Sequence, residues 1–165
     1  MVNILKLFFY SCLTISIVFA KNNNKNKSLL GSQAKFWMLK DAYSGKFEKL
    51  NNYVSPKESK WKAGKERKVV VMSFFATWCK PCIKEIQELE ILQNTFKDDP
   101  VKFFLINLTE YYRYQSNASN KYKDAPDAVD FFERKGWTDF SLLNDPNGRT
   151  KRAYDVTSLP RIVII

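Results

Sequence analysis

Val69, Val70, Val71, Met72, Phe74 and Phe75 form a nearly unbroken apolar run, interrupted at Ser73. Without the alternation of a half-solvated strand, this run predicts a strand over 68–75, buried on both faces in the middle of a sheet. From Pro81 the period changes. Ile83, Ile86, Leu89, Ile91, Leu92 and Phe96 recur at short helical intervals, interleaved with Lys84, Glu85, Glu88 and Glu90, predicting an amphipathic helix whose apolar positions turn to the core. It should stop near Asp98-Asp99-Pro100. A second buried strand over 101–108 then completes a strand-helix-strand unit, whose lengths imply a right-handed parallel crossover.

On either side of this unit the pattern is more broken. Residues 36–39 and 46–50 are short apolar or alternating stretches separated by the turn-rich segment 41–45, which predicts an N-terminal β-hairpin. Downstream, Ala128, Val129, Phe131 and Phe132 predict a helix over 126–135 ended by Gly136. A short strand over 140–143, a turn at Asp145-Pro146-Asn147-Gly148, a helical turn over 149–154 and an apolar strand over 162–165 follow. Residues 109–126 are rich in Tyr, Asn and Ser and read as a long loop carrying Tyr111, Tyr112, Tyr114 and Tyr122. Such a connection is either a solvated insertion or a lid over a partner.

The first 20 residues have another character. A single charge, Lys6, precedes an apolar run over 7–19 that ends in Val18-Phe19-Ala20, before the polar Lys21-Asn22-Asn23-Asn24. This is the pattern of an export signal over 1–20, and the run is shorter than the roughly 20 apolar residues of a spanning helix. Cleavage after Ala20 is expected, and Cys12 leaves with the leader. An uncleaved leader would instead hold the protein at a membrane. Residues 21–34 form a flexible polar tether, which leaves 35–165 as the folded domain of an exported, periplasmic or otherwise extracytoplasmic protein.

The chain has 165 residues, with 27 Lys and Arg against 17 Asp and Glu, and 15% aromatic side chains. That suffices for one domain with a buried core and no need of disulfide staples. Its basic residues are spread along the whole length without a basic motif, so no nucleic-acid role is expected. An acidic partner or an anionic lipid surface stays open. There is no His. Cys-His and Ser-His nucleophile pairs and imidazole-ligated metals are thereby excluded, and the two Cys outside the leader cannot complete a four-ligand zinc site within one chain.

The chemistry is then concentrated in Trp78-Cys79-Lys80-Pro81-Cys82, where the buried strand ends and the amphipathic helix begins. A Cys at a helix N-terminus faces free backbone N–H groups and the positive end of the macrodipole, and both favour the thiolate. Lys80 adds positive charge in the same direction. Cys79 is accordingly assigned as nucleophile. Cys82, three positions on and on the same face of the first turn, is close enough to join it in a disulfide and is assigned as the more covered, resolving thiol. Pro81 stiffens the first turn, where its missing N–H is not needed. Glu85, one turn after Cys82, is either the proton carrier for the second thiol or an ordinary surface carboxylate. No cofactor beyond the redox-active Cys79–Cys82 pair is expected, and no metal.

The stretch Phe74-Phe75-Ala76-Thr77-Trp78-Cys79-Lys80-Pro81-Cys82-Ile83-Lys84-Glu85 resembles the active-site signature of the thioredoxin superfamily, in particular its exported branch of TlpA/ResA-like thiol-disulfide oxidoreductases. The likeness runs from about Phe36 to Ile165 and includes the turn at 144–148 and Tyr154-Asp155-Val156-Thr157-Ser158-Leu159-Pro160. It implies an α/β thioredoxin-like fold, a central mixed sheet flanked by helices with the N-terminal hairpin added. It also implies a cis Pro160 against the cysteines, with Trp78, Leu159 and Pro160 contacting substrate. The implied activity is disulfide exchange with protein dithiols and disulfides, in the reducing direction, fed by an unidentified membrane or soluble electron donor. A peptide-binding or chaperone-like module with little redox turnover is the competing reading.

Two departures from the family pattern matter. Ser73 stands where cytoplasmic-type members carry a buried Asp, which leaves Glu85 as the candidate proton carrier. The family fold also continues with a further strand and a final helix, so the sequence reads as lacking both, with a sheet edge left open.

Overall fold

The computed structural model describes residues 29–54, 66–115 and 122–165. The expected leader, most of the tether and residues 55–65 and 116–121 lie outside these. Residues 31–165 form one compact unit. Among the described residues, no helix is long and apolar enough to cross a membrane.

The elements are β1 (Met38–Asp41), β2 (Phe47–Lys49), β3 (Val69–Phe75), α1 (Lys80–Thr95), β4 (Val101–Asn107), α2 (Thr109–Gln115), α3 (Ala128–Lys135), β5 (Ser141–Asn144), α4 (Arg149–Ala153) and β6 (Arg161–Ile164). They build a six-stranded sheet in the order β2-β1-β5-β4-β3-β6. The β3-α1-β4 crossover makes the parallel pair it was expected to make, from Val69 opposite Val101 to Phe75 opposite Asn107. β5 adds parallel to β4, and the hairpin and β6 add antiparallel. The sheet is mixed, as expected.

Alternation along the strands divides the core in two. Phe75, Phe103, Leu105 and Leu142 face the layer of α1 and α3, where they meet Ile86, Leu89 and Phe132. Phe104 points the other way and is met edge-on by Trp37 at 5.3 Å and Tyr53 at 5.1 Å. Such aromatic crossings add roughly 0.5–1.5 kcal/mol each beyond the area they bury. α3 starts on Asp127, whose carboxylate accepts the Val129 N–H at 2.8 Å, and stops at Gly136 with φ +72°. A residue with a Cβ is strained in that left-handed conformation.

Three expectations are corrected. Residues 109–115 are not loop but the helix α2. Its Tyr111 and Tyr112 continue the helical spacing from buried Leu108, and tertiary packing of that face outweighs the modest helix propensity of Tyr. β3 is interior but second from an edge, since β6 lies beyond it and β4, β5 and the hairpin all add on the other side. Finally, Ile91, Leu92 and Phe96 are exposed. At 100° per residue the face that buries Cys82, Ile86 and Leu89 continues at Gln93, which is half-buried and bonds the Asp139 carbonyl at 3.2 Å.

Candidate active site

β3 ends at Phe75, and the chain turns through Ala76–Cys79, closed by the Cys79 N–H on the Ala76 carbonyl at 2.9 Å. Cys79 is the N-cap of α1. Its backbone is extended and its sulfur accepts the Cys82 N–H at 3.3 Å, so the sulfur occupies the place where a Ser or Asp oxygen would cap the helix. Pro81 lies in the first turn, where no N–H is missed. Cys79 and Cys82 are joined in a disulfide with their Cα atoms 5.3 Å apart. Cys79 is 4% exposed and Cys82 1%, so both sulfurs are sheltered, and Cys79 is the one that reaches a surface groove. Lys80 beside them is exposed.

Glu85 is half-buried on α1, one turn past Cys82, and accepts a hydrogen bond of 2.5 Å from the Ser73 hydroxyl of β3. Burial pushes its carboxyl above the usual carboxylate range, and the Ser73 bond acts the other way by favouring the anion. The buried-Asp position of the cytoplasmic-type pattern therefore holds the partner of Glu85. No local pattern in the sequence pairs Ser73 with Glu85, because the two are 12 positions apart and meet only through the packing of α1 on β3.

The Leu159-Pro160 bond is cis. β6 pairs with β3 so that Arg161 lies opposite Phe74. One further step along this antiparallel register sets Pro160 opposite Phe75, at the mouth of the active-site turn. Leu159 is half-buried against the α1 side of the core and lines the same groove as Cys79.

That groove, about 460 Å³, is lined by the turn from Trp78 to Pro81, by Thr157, Ser158 and Leu159, and by Tyr112 and Tyr122. The two tyrosines come from the connection whose role the sequence left open. Both ends of this connection are tied to the active-site turn: the Thr77 N–H donates to Thr109 Oγ1 at 3.1 Å, and the Thr77 hydroxyl donates to the Pro126 carbonyl at 2.9 Å. Asn107 bridges Thr109 and Asn144 below them. None of these polar partners was legible beforehand, since each is fixed by strands meeting at their C-terminal ends.

Residues 31–165 match the AhpC/TSA family along their whole length. The chain belongs to the AhpC/TSA family. Thiol-disulfide oxidoreductase ResA of Bacillus subtilis is 28% identical over 98 residues, which span 59% of this chain and 47% of that protein. The chain thus matches about half the length of this relative. StoA from Bacillus subtilis superposes with a TM-score of 0.54 at 18% identity, covering 79% of each chain. A thiol-disulfide oxidoreductase from Bacteroides fragilis does so with a TM-score of 0.55 at 15% identity, over 80% of this chain and 81% of the other. At such identities the structural likeness is one of fold. The thioredoxin-like fold and the kinship with thiol-disulfide oxidoreductases, both expected from the active-site stretch, are borne out.

Proposed function

We propose that this AhpC/TSA-family chain is an extracytoplasmic thiol-disulfide oxidoreductase that exchanges disulfides with protein substrates and runs in the reducing direction. The observation that carries the activity is the capping geometry: the Cys79 sulfur sits at the N-terminus of α1, accepts the Cys82 N–H and lines an open groove. Export rests on the leader pattern over 1–20. In the reduced protein the free amides at this helix end stabilise a Cys79 thiolate. This thiolate attacks a substrate disulfide and expels one substrate thiolate. Cys82 then attacks the Cys79 sulfur, closes the disulfide now seen and frees the second substrate thiol.

Glu85 takes the proton that Cys82 must lose before it can attack. A carboxyl raised by burial is better matched to a thiol than an ordinary one, because proton exchange is most efficient when the two pKa values approach each other. The exchange uses no group beyond the two sulfurs and this carboxyl. An outside dithiol donor restores the reduced pair after each turnover.

Insulin-disulfide reduction with a dithiol donor tests the reading. Turnover by the wild type that is lost in Cys79→Ser supports it. Peptide binding without turnover in either protein would instead make the groove a chaperone-like binding module.

A further inference from the structure

The groove beside Cys79 has an aromatic wall that the exchange chemistry does not require. Tyr122 stacks on Trp78 with ring centroids 4.1 Å apart and planes 23° apart. Tyr112 meets Trp78 edge-on at 5.3 Å and Tyr122 at 5.8 Å. The three rings form one cluster, and all three line the groove. The wall is held in place. Thr77 fixes the two ends of the connection that carries the tyrosines, and Tyr111, next to Tyr112, packs edge-on against it at 5.1 Å and lies under the Lys151 ammonium of α4 at 5.3 Å. Tyr114, by contrast, is 81% exposed and takes no part.

Charge narrows the occupant. Among the described residues, Lys80 is the charged side chain lining the groove. It stands at the N-terminus of α1, whose free amides carry positive partial charge. A basic substrate side chain is repelled there, whereas an aromatic one can add edge-on or offset-stacked to rings already arranged in that geometry.

We propose that Trp78, Tyr112 and Tyr122 form a receptor for an aromatic side chain neighbouring the attacked cysteine, so that the protein acts selectively on disulfides flanked by aromatic rather than basic residues. This rests on the oxidoreductase reading and names its substrate class. The step is ordinary exchange. The Cys79 thiolate bonds to the cysteine sulfur of the substrate and expels the other sulfur as a thiolate, and Cys82 then displaces the substrate thiol. Two electrons pass from the protein's dithiol to the substrate disulfide, and a small dithiol such as dithiothreitol reduces the protein beforehand.

The experiment uses three peptides of one length, each carrying a single Cys as the mixed disulfide with glutathione and differing only in its neighbour: Phe, Gly or Lys. Pre-reduced protein is mixed with each, and a single turnover is followed by the release of peptide thiol. The wild type should reduce the Phe peptide about tenfold faster than the Gly peptide, equivalent to ~1.4 kcal/mol, with the Lys peptide slowest. Tyr122→Ala and Tyr112→Leu should bring the Phe-to-Gly ratio within about twofold of unity, and Tyr122→Phe should keep it. A wild-type ratio near one, a preference for the Lys peptide, or a ratio that survives both substitutions would overturn the receptor. No reduction of any peptide by the wild type would sink the oxidoreductase reading instead.

Discussion

The hydroxyl of Ser73, on the buried strand β3, donates to the carboxylate of Glu85 on α1 at 2.5 Å and ties the strand to the helix that carries both cysteines. Ser73 is 1% exposed, so the donor end of this bond is buried, while Glu85 is half-buried. Removing the donor leaves a desolvated carboxyl with less support for its anion. Ser73→Ala should therefore move the Glu85 titration to still higher pH. Side-chain carboxyl NMR shifts, followed against pH in both proteins, read this directly. A shift toward lower pH would be incompatible with the bond.

Glu85 also links stability to pH. Its folded-state pKa is raised, so the protonated form is the favoured one in the folded protein. That stability is fully present below the ordinary Glu value of about 4.3 and is lost as pH rises through the raised value. Glu85→Gln keeps an acceptor for Ser73 and removes the charge. Its Tm should gain on the wild type between pH 4 and pH 8, and a constant Tm difference across that range would contradict the assigned direction. In rapid-mixing experiments it should slow the Cys82 step and leave the Cys79 attack nearly unchanged.

Alkylation of the reduced protein should show Cys79 titrating well below the free-thiol value of about 8.5. Lys80→Glu, which reverses the charge beside the helix N-terminus, should move that midpoint upward. The rate of iodoacetamide labelling against pH measures both. A midpoint near the free-thiol value in the wild type would remove the proposed nucleophile.

Gly148 precedes α4 with φ +60°, and a Cβ built there would overlap the ring of Tyr111. Gly148→Ala should destabilise by about 2 kcal/mol, combining left-handed strain with the steric clash. In the double variant with Tyr111→Ala the clash disappears and the strain stays, so the two changes should be less than additive in urea unfolding. Strict additivity would place Tyr111 elsewhere.

Phe132 is fully buried and touches Phe75 at 5.3 Å, just below the active-site turn. Phe132→Ala should cost about 3–5 kcal/mol in the same assay. A loss under 1 kcal/mol would mean that this core is not packed as described.

Much of this protein was legible from neighbours in the chain. The nearly unbroken apolar run at Val69–Phe75, the change of period at Pro81 and Gly136 after Phe132 each report how a segment meets its own surroundings, and the corresponding strand, helix and helix stop are present. The helix N-terminal position of Cys79 follows from the same local signals, because a capping sulfur and its helix are contiguous in sequence.

What spans the chain was decided only on folding. The bond from Ser73 to Glu85, the seating of Tyr112 and Tyr122 against Trp78, the place of β3 second from an edge and the exposure of Ile91 all depend on which surfaces meet. Periodicity states that a side chain needs a partner or a covered face. Which partner it finds is set by strand order and register, and these arise from packing energies summed over the whole domain rather than over any one segment.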